Sequence, residues 1–331
     1  MLKIKKPTQL TKQRPKVYCK RYLPLVESSV MMMYSVGGVG KSFAAMRQAI
    51  EFVLDTGKRA ALWLTEDPEG ENRDRYERLL KQYAATPREF FDSRIDFIAD
   101  SPCKLTKLRD GNAILTDEFW QVRLDLFDYS LVVLDPLLQF QGCDENSNTH
   151  AGVLMGALKD WAGEEQKVIF LLHHASVNQG TLRLKPRGAG EWTNGTRGAY
   201  EISRVLSSDG KSVNETRKDF RTFTLTKDNG LSFYFRDDIT GLNERELPVF
   251  PPYEKHTMED HQQGTNRVRL SVADHNSEKN SKGFEVVEVD FDSLHNVVRE
   301  NKCYSPYMFA GGHRLNDNNL GVSDVLCLDF D

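Results

Sequence analysis

The sequence predicts an α/β protein with a mainly parallel twisted sheet, helices on both faces and an antiparallel edge hairpin. Three observations lead there. Short β-rich apolar runs alternate with longer amphipathic stretches from about Leu23 to Phe250. A glycine-rich turn joins the first clear run to a helix. An Asp228-Asn229-Gly230 turn separates the last two runs, where Asn and Gly accept positive φ. Taken in order, the expected strands are Val30 to Tyr34, Ala60 to Thr65, Ile95 to Ile98, Leu131 to Leu134 and Val168 to His173. Arg221 to Lys227 and Ser232 to Arg236 are expected to pair as the hairpin. The expected helices are Phe43 to Leu54, Glu71 to Tyr83, a short one from Thr86 to Phe91, Asp117 to Leu126, and Thr149 to Ala162. In the last, Val153, Leu154, Ala157, Leu158 and Trp161 share one apolar face.

The chain has 331 residues, enough for one domain of roughly 250 residues and a second unit. Its net charge of -4 excludes a uniformly basic nucleic-acid coat but leaves a local basic loop open. Residues 1–22 read as a basic arm: eight Lys or Arg and no acid occur in the first 21, with no apolar block of the secretory kind behind them. The five cysteines are scattered and lack metal-ligand spacing, so reduced thiols and a cytoplasmic protein are expected. No apolar run approaches the roughly 18 residues of a membrane span. Residues 23–252 form the expected main domain. The stretch 253–282 is polar enough for a solvated linker, and 283–331 begins a fresh strand pattern with Phe284 to Val289.

Ser35-Val36-Gly37-Gly38-Val39-Gly40-Lys41-Ser42 follows an apolar strand and opens a helix, the context of a phosphate-binding loop. Glycines let backbone N–H groups crowd around phosphate oxygens, Lys41 reaches the outer phosphates, and the Ser42 hydroxyl meets magnesium. Gly37, Gly38, Val39, Gly40, Lys41, Ser42 and Phe43 are therefore the expected nucleotide-binding residues. Ser35 stands where the usual pattern begins with Gly.

Further groups are expected at the same edge. Asp135 closes an apolar strand, where a carboxylate is costly unless a cation or donor meets it, and with Ser42 it would hold Mg2+. Glu66, at the end of a neighbouring strand, suits a general base for an attacking water; alternatively Glu66 and Asp67 cap the Pro68 turn. His173-His174 ends another strand, so one imidazole can sense the γ-phosphate. Arg183, Lys185 and Arg187 lie in the Gly-rich segment Ala175 to Thr196, which fits a tracker of single-stranded DNA or, more plainly, a mobile solvent loop.

Thr65-Glu66-Asp67-Pro68, Leu134-Asp135-Pro136, Asp144-Glu145-Asn146 and Phe170-Leu171-Leu172-His173-His174-Ala175-Ser176, together with the loop, resemble the RecA-like P-loop ATPases over about residues 25 to 240. They look most like the plasmid RepA-type hexameric replicative helicases. The resemblance implies a RecA-like P-loop NTPase core, ATP at the interfaces of a homo-oligomeric, hexameric ring, DNA as partner, and primase or other replication proteins nearby. By the same likeness Glu66 is the catalytic glutamate, His174 the γ-phosphate sensor, and Arg204 an arginine donated to the neighbouring subunit. Lys227 resembles a second basic residue at that interface. Adenine is favoured by the likeness alone, because Thr226-Lys227-Asp228-Asn229 lacks the order that reads guanine.

Leu328-Asp329-Phe330-Asp331 resembles the first metal-binding strand of archaeo-eukaryotic-type primase-polymerases, and exposed terminal acids are the plainer alternative. The expected function is an ATP-hydrolysing DNA motor of plasmid or phage replication. A regulator or recombination-type ATPase of the same fold, without unwinding, is the competing expectation.

Overall fold

The computed structural model describes residues 6–9, 14–176, 184–207, 209, 212–235 and 243–251, together with strands at 267–273, 285–290, 303–305, 307–309 and 319–322. Two compact units result: Met1–Tyr83 with Pro87–Pro252, and Ala84–Thr86 with Tyr253–Asp331. No helix among the described residues is long and apolar enough to cross a membrane.

The first unit is organised by one large sheet. Its principal strands are β1 (Ser29–Ser35), β2 (Ala60–Leu64), β3 (Ile95–Phe97), β4 (Leu131–Asp135), β5 (Val168–Ser176), β6 (Gly198–Arg204), β7 (Phe220–Lys227) and β8 (Glu244–Pro248). Their spatial order is β8-β7-β6-β1-β5-β4-β2-β3. The strands from β6 to β3 are mutually parallel, and β7 and β8 continue antiparallel at one side. The fold class is therefore the α/β, mainly parallel one expected.

Helices cover both faces, which explains why the central strands read as continuous apolar runs rather than alternating ones. Met31 and Met33 of β1 face a core containing Ala45, Ile50 and Phe52 of helix α1 (Lys41–Thr56), while Val30 and Met32 face Leu154, Leu158 and Trp161 on the other side. Helix α2 (Glu69–Leu80) follows β2, α3 (Asp117–Asp125) precedes β4, and α4 (Asn148–Glu164) precedes β5. Ser147 caps α4, its side chain accepting from the His150 N–H. With every parallel strand starting at the same end, their carboxyl ends share one edge, where ligands of open α/β sheets bind.

The expected hairpin is corrected. β7 pairs with β6 and β8 instead, and Ser232–Phe235 is a helical turn. Asp228 Oδ1 accepts from the N–H groups of Leu231 (2.5 Å) and Ser232 (3.0 Å), which starts a helix rather than reversing a strand. Leu231 and Phe235, spaced i and i+4, are buried, whereas Phe233 is 86 % exposed. A tight Asx-Gly hairpin does occur at Asp110 (φ 50°) and Gly111 (φ 76°), between Thr106–Arg109 and Asn112–Leu115.

Two further expectations change. The segment Ala175 to Thr196 is not loop throughout: β5 runs to Ser176, Lys185–Pro186 pairs back on it, and Glu191–Asn194 is a helical turn carrying buried Trp192. The stretch expected as a linker contains the strand Arg267–Ala273, paired antiparallel with Glu285–Asp290 and with Cys303–Ser305 in the second unit. Its Val268-Leu270-Val272 alternation is short and set among polar residues, which hides it in a compositional reading.

If the turn after β7 is helical, Phe235→Ala should cost about 3–5 kcal/mol and Phe233→Ser should stay within about 0.5 kcal/mol. Urea denaturation of the two variants checks this, because a strand would align the two rings on one face.

Candidate active site

The turn from β1 into α1 places Gly38 (φ 72°) and Gly40 (φ 103°) in the left-handed region. A Cβ on Gly40 would also lie 2.5 Å from Cζ of Phe250, so a side chain is excluded twice. α1 begins without a side-chain cap, leaving its first N–H groups available to an anion. Lys41 is only 6 % exposed. Burial pushes its pKa down, while Asp135 and Glu66 act in the opposite sense. Phe43 packs edge-on against Phe250, with ring centroids 4.8 Å apart.

Asp135 ends β4 and is 1 % exposed, and Ser42 Oγ donates to its Oδ2 across 2.8 Å. Its Oδ1 is buried without a partner. Burial pushes its carboxyl up to about 6, opposed by the Ser42 bond and reinforced by Glu66. A buried carboxylate oxygen lacking a donor, beside a loop hydroxyl, fits a hard divalent cation held by oxygen ligands. Ser42 and Asp135 are the residues that would hold Mg2+.

Glu66 stands just beyond β2, and its Oε1 lies 2.8 Å from His174 Nε2. The alternative in which Glu66 and Asp67 cap the following helix is not realised: Pro68 occupies the cap position without a side-chain bond, and Asp67 pairs with Arg75. The two histidines part because successive strand residues face opposite sides. His174, level with Ser35, turns to Glu66. His173 is fully buried, and its Nε2 donates to the Arg187 carbonyl across 2.7 Å. Burial pushes its pKa down to about 4.

Lys41, Ser42, Glu66, Asp135 and His174 thus share one edge of the sheet. The other expected residues do not join this group. Arg204 is exposed at the end of β6, opposite Arg221 on β7. Lys227 pairs with Ala199, itself level with Met32, and its Nζ donates to the carbonyls of Thr193 (3.0 Å) and Asn194 (2.6 Å) in its own chain. Arg187 pairs with Glu145 at 2.8 Å, and its N–H donates to the His174 carbonyl. Lys185 is exposed, and Arg183 lies outside the described residues, as do Asp329 and Asp331. Sequence reasoning missed Arg221 and Phe250, both of which touch the loop from a distant part of the chain.

The family model described as AAA domain matches residues 8–180, more than half of the chain and all of these five residues. The chain belongs to the AAA domain family. Two solved structures are similar to part of it. The ATPase domain of G40P is 14 % identical, covering 61 % of this chain and 78 % of that one with a TM-score of 0.45. The RadB recombinase is 14 % identical, covering 62 % and 84 % with a TM-score of 0.41. Likenesses this distant do not bear on activity. No curated protein matches the sequence.

The raised Asp135 pKa has a definite sign. The folded chain keeps a proton that the unfolded chain releases, so this group's contribution is present below the ordinary carboxyl value of 3.8 and is lost as pH rises through about 6. Mg2+ competes with that proton. The gain in ADP affinity from Mg2+ should be about tenfold smaller at pH 5 than at pH 7.5. Asp135→Asn should abolish this difference, apart from the nucleotide's own titration. Calorimetric titration at both pH values checks this.

Proposed function

We propose that this AAA domain protein is an ATP-hydrolysing motor acting on single-stranded DNA, the hexameric replicative helicase of a plasmid or phage. The observation that carries the reading is the Glu66–His174 contact of 2.8 Å beside Lys41, Ser42 and Asp135. A binding loop alone needs only the glycines and Lys41. Hydrolysis needs a carboxylate to take a proton from water and a group that registers the third phosphate.

The loop N–H groups and Lys41 hold the phosphate tail. Ser42 and Asp135 would hold a magnesium ion, which when bound would supply charge neutralisation at the phosphates. His174 exchanges Glu66 for the γ-phosphate, which frees the Glu66 carboxylate to orient and deprotonate the attacking water. The proton leaves on Glu66, and the P–O bond to the β-phosphate breaks. Arg204, donated from a neighbouring copy, stabilises the charge that develops. A movement of His174 passes to Arg187, whose N–H it holds, and so to the basic segment containing Arg183 and Lys185, which follows the DNA backbone. Lys227, bound to its own chain's carbonyls, would need to let go before serving a neighbour. Primase or another replication protein is the expected partner of the assembled ring.

Glu66→Gln should lower kcat by about 10²–10⁴-fold while ATP binding persists, and Lys41→Ala should lose both. In the wild-type chain, single-stranded DNA should raise the hydrolysis rate, and ATP should raise the mass in solution. Phosphate-release assays and sedimentation read these outcomes. Hydrolysis indifferent to DNA in a persistent monomer would sink the motor. ATP-driven assembly that leaves a forked duplex intact would instead favour a regulator or recombination-type ATPase.

A further inference from the structure

We infer that Arg221 is a positioning residue of the phosphate loop, fixing through its bond to Val39 the direction of the Gly40 N–H that a nucleotide phosphate meets. This deepens, and rests on, the reading of the loop as a nucleotide site. Arg221 lies 182 residues from Val39 in the chain, yet its Nε donates to the Val39 carbonyl across 2.6 Å. In a trans peptide the carbonyl and the following N–H point in opposite directions. Drawing Val39 O toward β7 therefore turns the Gly40 N–H away from β7.

Gly40 has no side chain to restrict it and sits at φ 103°, so the loop's shape there must be imposed by neighbours. Two supply it. Phe250 closes one side, with Cζ 2.5 Å from where a Cβ would stand, and Arg221 holds the carbonyl. The two are built together. The Arg221 guanidinium lies over the Phe250 ring at 4.5 Å, and the N–H groups of Val249 and Phe250 both donate to the Asp219 carbonyl.

The arginine is itself held in place. Nη1 donates to the carbonyls of Lys218 (2.7 Å) and Phe220 (2.5 Å), and the residue is 7 % exposed. Burial and the facing Arg204 both disfavour its charge, with Asp219 acting the other way. Its bonds go to neutral carbonyls, so its positive charge remains available to an anion in the loop.

The test uses the full chain with ADP as probe. Arg221→Gln should weaken ADP binding by about ten- to a hundredfold, the range for a hydrogen bond from a charged group, with a larger change in KM for ATP than in kcat. Arg221→Lys, which keeps the charge, should lose less. A merely structural role would lower the melting temperature and leave the affinity of the folded fraction unchanged; a folded Arg221→Gln with wild-type affinity overturns the inference. If the glutamine variant does not fold, the lysine variant and the Arg221 Nε–H resonance of the wild-type chain decide. A slowly exchanging signal in the nucleotide-free chain supports the bond to Val39, and rapid exchange removes it. Failure of the wild-type chain to bind ADP would refute the nucleotide site itself, a distinct result.

Discussion

One hydrogen bond, from Ser42 to Asp135, ties the first turn of α1 to a strand that is not its neighbour. β5 lies between β1 and β4, so the bond of 2.8 Å spans the sheet's carboxyl edge and draws the loop down over it. The remaining site geometry depends on that closure. Lys41 is pulled into a buried position between carboxylates, Asp135 is left with one satisfied oxygen and one unsatisfied, and Glu66 and His174 meet just outside.

The balance of charge at this edge explains why the free chain is poised for a ligand. Asp135, Glu66 and Asp67 bring negative charge, and Lys41, desolvated, brings positive charge. Burying a carboxylate without a full set of donors is unfavourable, so Asp135 holds its proton up to about pH 6 rather than releasing it near 3.8. The unpartnered Oδ1 is the atom that would meet a divalent ion in place of that proton. Catalytic sites commonly store such a deficit, since the electrostatic work is done by groups fixed in advance of the reaction.

The antiparallel side of the sheet contributes as much as the parallel core. β6 and β7 carry Arg204 and Arg221 opposite each other, one exposed and one buried against the loop. Phe250, just beyond β8, completes the wall behind Gly40. An edge strand added to a finished α/β core is usually regarded as cover for unpaired backbone groups. Here it also reaches the chemistry, because antiparallel strands return the chain to the carboxyl edge at the start of β7 and the end of β8.

The loop, Asp135, Glu66 and the histidine pair were legible in the sequence because each is a local pattern. An apolar run ends, and a chemically distinctive residue follows, so the strand direction alone assigns it to one edge. The division of labour between His173 and His174 needed only the two-residue period of a strand, once the direction of one side chain was known. Other features could not be read this way. Asp228-Asn229-Gly230 and Asp110-Gly111 are nearly the same turn signal, and only the burial of Leu231 and Phe235 decides that the first opens a helix. β6 escaped notice because it starts at Gly198, against which the ends of the Leu231 and Met31 side chains pack closely, and its polar residues obscure the buried Tyr200 and Ile202. Local periodicity therefore determined the elements and the residues at their ends. Tertiary structure alone decided which distant residues press on the loop, since the contact of Arg221 with Val39 is created by strand order and register, and no short window of sequence contains either.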